Sequence, residues 1–140
     1  MPARKRTIQP GATRGTVFKQ VAQVRLGDAG TLLEKKRYAG AIYLAGYAVE
    51  CLLKWAITRR RAWVYLPAEL EIHHLDTLLM EAGLAEDLHN EGVLRVIYAA
   101  LADRWGPELR YLAKSPEPRD ADRLYREISR VYDWILEKTI

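Results

Sequence analysis

Apolar residues recur at helical spacing in four long segments of the chain, and no stretch alternates polar and apolar positions long enough to predict a strand. The first segment runs from about Thr16 to Lys36, with Thr16 placed to serve as N-cap and Val17, Val21, Val24, Leu32 and Leu33 along one face. Asp28 falls on or beside that stripe, so one carboxylate is expected to point inward. The second segment, from about Tyr38 to Arg60, gives the strongest signal: Ile42, Tyr43, Gly46, Val49, Leu53 and Ala56 form a continuous apolar face. Arg59, Arg60 and Arg61 at its end suit the negative pole of a helix dipole.

Residues from Trp63 to Ile72 contain Pro67 and read as a connection. A short helix is expected from about His73 to Glu81, with Leu75, Leu78 and Leu79 inward and Gly83 as its stop. Residues 84 to 90 read as a further turn. The third long helix is expected from about Glu91 to Arg104, with Val93, Leu94, Ile97 and Leu101 inward, and Gly106-Pro107 ends it. Ser115-Pro116-Glu117-Pro118 reads as an exposed loop, and the fourth long helix spans Asp120 to Lys138 with Leu124, Ile128, Val131 and Ile135 inward. Long helices on short connections predict an all-α, up-and-down bundle of four long helices plus a short helix near residues 73–82. No internal repeat interrupts the pattern.

Composition narrows this picture. The 140 residues are 49% hydrophobic and 29% charged, which excludes a disordered or collagen-like chain and suits one domain. A single cysteine, Cys51, excludes an internal disulfide framework and fits a reducing, cytoplasmic setting. No basic start followed by an apolar core marks a signal peptide, and no long uncharged apolar run marks a membrane span, so no membrane association is expected.

The net charge of +4 is segregated along the chain. Residues 1–16 hold Arg4, Lys5, Arg6 and Arg14 with no acid and read as a flexible basic tail, leaving residues 17–140 as the bundle, formally neutral. Within the bundle, residues 17–61 hold nine bases and three acids, whereas residues 62–94 hold seven acids and no Lys or Arg. Such polarity gives a dipolar domain whose basic part suits phosphates or acidic partners, the plainer reading being solvated helix faces.

Familiar catalytic chemistry finds little support. His73, His74 and His89 are the whole imidazole supply, with no His-Glu-x-x-His and no thiolate cluster, so neither a metal nor another cofactor is expected. Gly27 and Gly30 lie inside the first helical pattern and read as packing concessions rather than a phosphate loop. Ser115 and Ser129 are the only serines, and nothing supports a Ser-His-Asp set. Cys51, inside an apolar helix, reads as a small core residue.

Three local patterns remain. In the second helix, small residues at 39, 41, 45, 46 and 48 permit close helix approach, and Glu50 and Lys54 are one turn apart. Taken alone they read as a surface ion pair; their apolar neighbours also allow a partly buried Glu50, and a buried carboxylate demands a cationic partner. The second pattern is His73-His74-Leu75 with Leu78-Leu79, where a histidine serves as cap or packing residue. The third is Trp105-Gly106-Pro107-Glu108-Leu109-Arg110-Tyr111, which sets a guanidinium suited to phosphate beside a ring suited to base stacking. The plainer role for Arg110 is to pair with Glu50 or another core acid and fix the loop.

In this order the patterns resemble the HEPN family, the nucleotide-binding domain of higher eukaryotes and prokaryotes. A Tyr-x-x-Ala-x-Tyr-Leu-x-Gly-Tyr-x-x-Glu-x-x-Leu-Lys string is matched by Tyr38, Ala41, Tyr43, Leu44, Gly46, Tyr47, Glu50, Leu53 and Lys54. A His-x-Leu-x-x-Leu-Leu segment is similar to His73 through Leu79. A Trp-x-x-x-x-Arg-Tyr element is similar to Trp105 through Tyr111, followed by a last helix ending near Trp134. The resemblance covers about residues 17 to 138.

It implies a helical bundle, commonly a homodimer, that binds nucleotides or RNA and often stands beside a minimal nucleotidyltransferase as toxin and antitoxin or as binding subunit and catalyst. The family's ribonucleases carry Arg, four to six residues, then His; no Arg lies between 62 and 94, so that pair is absent here. The expectation is therefore a non-catalytic nucleotide- or RNA-binding subunit working with a nucleotidyltransferase-type partner. Arg110 and Lys54 would face phosphate, Tyr111 would stack on a base, Glu50 would orient Arg110 or Lys54, and His73 would donate from the cleft side. Two alternatives are a divergent, metal-independent ribonuclease toxin using Arg110, Tyr111 and His73, and an all-α adaptor whose segregated charge recruits a protein.

Overall fold

A computed structural model describes residues 12–105 and 116–140, and within them the chain is all-α. Six helices follow in order: α1 (Gly15–Glu34), α2 (Tyr38–Arg61), α3 (Leu75–Glu81), α4 (Ala85–His89), α5 (Gly92–Arg104) and α6 (Pro118–Thr139), with a single 3-10 turn at Ala68–Leu70. α1 and α2 form the most extensive helix pair, α6 lies on α2, α5 on α6 and α3 on α2, which makes a bundle around α2.

α2 occupies the centre because from Ala41 to Ile57 it is apolar or small on nearly every side, Glu50 and Lys54 being the charged exceptions. Every residue from Ala48 to Thr58 is buried, and a helix hydrophobic all round belongs inside a fold. By length and composition α2 would also cross a membrane, but 72% of its apolar window is buried within the bundle. Ala22 and Ala29 on α1 and Ala41, Ala45 and Ala48 on α2 are all fully buried. Side chains this small let two helix backbones approach closely.

That close pairing decides which face of α1 turns inward, and it corrects the expectation for two valines. Val17 is 38% exposed and Val24 55% exposed. Val24 lies about 200° around the helix from Ala22, at about 100° per residue, so burying the alanine stripe turns the valine to solvent. Asp28 likewise points outward, where Arg25 Nη1 bonds its Oδ2 at 2.8 Å. Val93 is 65% exposed for the same reason: α5 buries Leu94, Tyr98 and Leu101, at spacings of four and three, and Val93 lies off that line.

The helix ends show where local signals were overruled. α1 begins at Gly15, with Arg14 as an extended N-cap that makes no side-chain cap bond, so Thr16 lies inside the first turn. Tertiary backbone pairing fixes this start: Gly15 N donates to Val64 O at 3.0 Å and Leu66 N to Thr13 O at 3.1 Å. Residues 13 to 16, assigned by composition to the tail, thus belong to the bundle, while residues 1–11 lie outside the described part. α3 is capped by His74 rather than His73, through Nδ1 accepting from Thr77 N at 3.2 Å. It stops at Gly83, whose φ of +74° is the left-handed conformation expected of that glycine.

Candidate functional site

Glu50 is the most deeply committed polar residue in the bundle. It sits midway along α2 with a fully buried side chain, and both carboxylate oxygens are engaged. Oε2 accepts from Lys54 Nζ at 3.0 Å, one helical turn away. Oε1 lies 2.8 Å from His73 Nδ1, brought in from the connection before α3. A buried carboxylate is expensive unless its lone pairs meet donors and its charge meets a cation, and this arrangement supplies both.

Lys54 is consumed by this role. Its side chain is 7% exposed, and its ammonium stands 5.7 Å from the centre of the Phe18 ring on α1, a cation over an aromatic face. The structure therefore places Lys54 in the core beside Glu50, not at a surface where it would meet phosphate directly. Phe18 carried no signal as a site residue, because its part depends on how α1 lies across α2.

His73 is the half-open member, with a side chain 49% exposed. An ionised carboxylate only accepts, so Nδ1–H donates to Glu50 and the neutral tautomer keeps its lone pair on Nε2. Nε2 has no partner among the described residues. Buried Glu50 thus holds an imidazole in fixed orientation with its second nitrogen free to accept a proton or, once protonated, to donate to an anion.

Trp105 connects this face of α2 to the third sequence pattern. Its Nε1 donates to Tyr43 O at 3.2 Å and its ring stacks on Tyr43 at 6.0 Å between centres, 26° between planes. The indole lies against Gly46, where a Cβ would collide with it. Tyr43, Gly46 and Glu50 share one helical face, spaced three and four apart, so the Trp105 segment starts beside the carboxylate's own stripe. Arg110 and Tyr111 themselves lie outside the described residues.

Two further groups border Glu50. Tyr47 has its pKa pushed up to about 12, first by burial and then by neighbouring Cys51 and Glu50. Burial likewise raises the Cys51 thiol to about 11, partly offset by a hydrogen bond with Tyr47, so the thiol stays protonated and inert at neutral pH. Among the described residues no group of three His, Cys, Asp or Glu is placed to hold a metal ion. A separate open groove of about 470 Å³ runs between α1 and α6, floored by Leu26, Tyr125, Tyr132 and Leu136 with Lys19 and Gln23 at its rim; it does not include Glu50 or His73.

No protein-family model, characterised protein or solved structure matches the chain.

Proposed function

We propose that the protein is a non-catalytic nucleotide- or RNA-binding subunit of the HEPN-like kind, homodimeric and partnered by a nucleotidyltransferase-type protein in a two-component system such as toxin and antitoxin. The observation that carries this reading is the Glu50–His73 pair. A fully buried carboxylate that fixes a half-exposed imidazole through Nδ1 leaves Nε2 to donate, once protonated, to an anionic oxygen. Trp105, anchored on Tyr43 and Gly46 of the same helical face, begins the segment that contains Arg110 and Tyr111. In this reading Lys54 acts from behind, by balancing Glu50, while Arg110 and Tyr111 complete the phosphate and base contacts.

Replacing His73 by Asn tests the reading, because an Asn amide can still donate to Glu50 but offers nothing at the Nε2 position. Mononucleotide affinity should fall about tenfold, the worth of one charge-assisted hydrogen bond, with the melting temperature kept within a few degrees. Equal affinity in wild type and His73→Asn would remove the pair from the site.

The same geometry supports a second reading, a metal-independent ribonuclease in which His73 Nε2 takes the proton of a ribose hydroxyl and Glu50 holds the imidazole in place. It requires cleavage of single-stranded RNA in the presence of chelator that disappears in His73→Asn. Stable RNA under those conditions discards it.

A further inference from the structure

The C-termini of α2, α3 and α6 meet at one end of the bundle, and the arginines that close α2 reach across to the other two. Arg59 Nε donates to Thr139 O at 2.9 Å, and Arg60 Nη1 to Glu81 O at 3.2 Å. Arg61 Nη2 lies 3.4 Å from Glu81 Oε2. α1 starts at this end, because its first N–H bonds Val64 just past α2, so Arg14 and Lys19 join the same surface. Aromatic rings are set between these cations. The Arg14 guanidinium lies 5.5 Å from the Tyr65 ring centre and that of Arg61 5.5 Å from Trp63, while Trp55 carries Lys19 at 4.7 Å and Arg59 at 5.9 Å.

Closing helix ends accounts for part of this cluster and leaves the rest unexplained. Cations belong at helix C-termini, but Arg59 and Arg60 each spend one N–H on a terminal carbonyl out of the five that a guanidinium carries. The side chains of Arg14 and Arg61 bond no helix-terminal backbone group among the described residues. Among the described residues these five cations form one ion pair, Arg61 with Glu81, long and partly exposed, a kind worth little.

We propose that this end of the bundle binds the phosphate backbone of single-stranded RNA. The inference rests on the reading above that the protein takes nucleic acid, but it concerns a different surface from the Glu50–His73 pair. Exposed guanidiniums set 5.5–5.9 Å from aromatic ring centres match a strand that offers phosphate oxygens and base faces in alternation. A lipid surface fits less well. Insertion needs an exposed aromatic or aliphatic cluster, whereas Trp55 is 6% exposed beneath two cations and the exposed apolar side chains at this end, Val64, Met80 and Ile140, come from three separate segments.

The test uses the full chain, a fluorescein-labelled uridine oligomer and anisotropy at several salt concentrations. Arg14→Glu/Arg61→Glu is the main variant, since neither side chain closes a helix; Arg14→Gln/Arg61→Gln replaces it if the fold is lost. Removing two phosphate contacts should flatten the slope of log affinity against log salt by about 1.4, at about 0.7 per contact for a single strand, and lower low-salt affinity at least tenfold. Arg14→Lys/Arg61→Lys, which keeps charge without the planar fork, should retain most of the slope.

Unchanged slope and affinity in the charge-reversed variant overturns the proposal, including the case in which Arg4, Lys5 and Arg6 hold the strand alone. So does a loss confined to phosphatidylserine vesicles. The two sites separate cleanly: His73→Asn should change mononucleotide affinity and leave the salt slope intact. If His73→Asn has no effect while Arg14→Glu/Arg61→Glu loses RNA, the Glu50–His73 reading fails and this one stands.

Discussion

Replacing Lys54 by Met removes the ammonium from Glu50 while keeping the length and the apolar stem of the side chain. The result decides between two physical pictures of this i, i+4 pair. If the two groups behaved as a surface ion pair, the loss would be about 0.2–1 kcal/mol. The structure gives side-chain exposures of 7% for Lys54 and 0% for Glu50, and stranding one partner of a buried pair costs about 3–5 kcal/mol. His73 still holds one oxygen at 2.8 Å, so the lower end applies, about 3 kcal/mol.

For a domain of this size that corresponds to a fall in melting temperature of roughly 10 °C. Urea unfolding followed by circular dichroism measures it, with the m-value checked for constancy. The double variant Glu50→Leu/Lys54→Met removes both charges and should recover most of the loss, since apolar residues of similar volume often replace a buried ion pair at no net cost. A cost below about 1 kcal/mol for Lys54→Met, or a double variant no more stable than the single, would refute the argument from burial.

Three other outcomes follow from the packing and burial in the bundle. Gly46→Ala drives a methyl into the Trp105 indole and should destabilise by about 1–3 kcal/mol as an overpacked contact, visible in chemical unfolding and as altered tryptophan fluorescence. Gly27→Ala, where a Cβ meets nothing within 4 Å on an exposed helical position, should instead stabilise by about 0.5–1 kcal/mol.

In alkali the fold should weaken. Tyr47 and Cys51 have pKa values raised from 10.0 and 9.0 to about 12 and about 11, so the native state favours their protonated forms. Their contribution is complete below pH about 9 and lost as pH rises through the folded values. Tyr47→Phe should flatten that decline between pH 10 and 12, and Cys51 should resist a thiol reagent at pH 8 until the chain unfolds.

The positions of the helices were legible in the sequence because helical periodicity and glycine stops are local properties. α2, the stop at Gly83 and the inward line Ile128, Val131 and Ile135 on α6 all followed from residues a few places apart. So did the Glu50–Lys54 pair, which one turn of helix brings together regardless of what surrounds it.

What the tertiary structure decided is everything that depends on which faces meet. The alanine stripe of α1 turned inward and put Val24 in water; His74, not His73, became the cap of α3, leaving His73 for a carboxylate 23 residues away. Periodicity names an apolar stripe but not its partner, and hydrogen bonds between distant residues leave no spacing to read. The burial that turns a routine ion pair into a costly one, and the meeting of three helix ends under Arg59, Arg60 and Arg61, exist only once the helices are packed, because burial and convergence are properties of the assembled surface rather than of any segment.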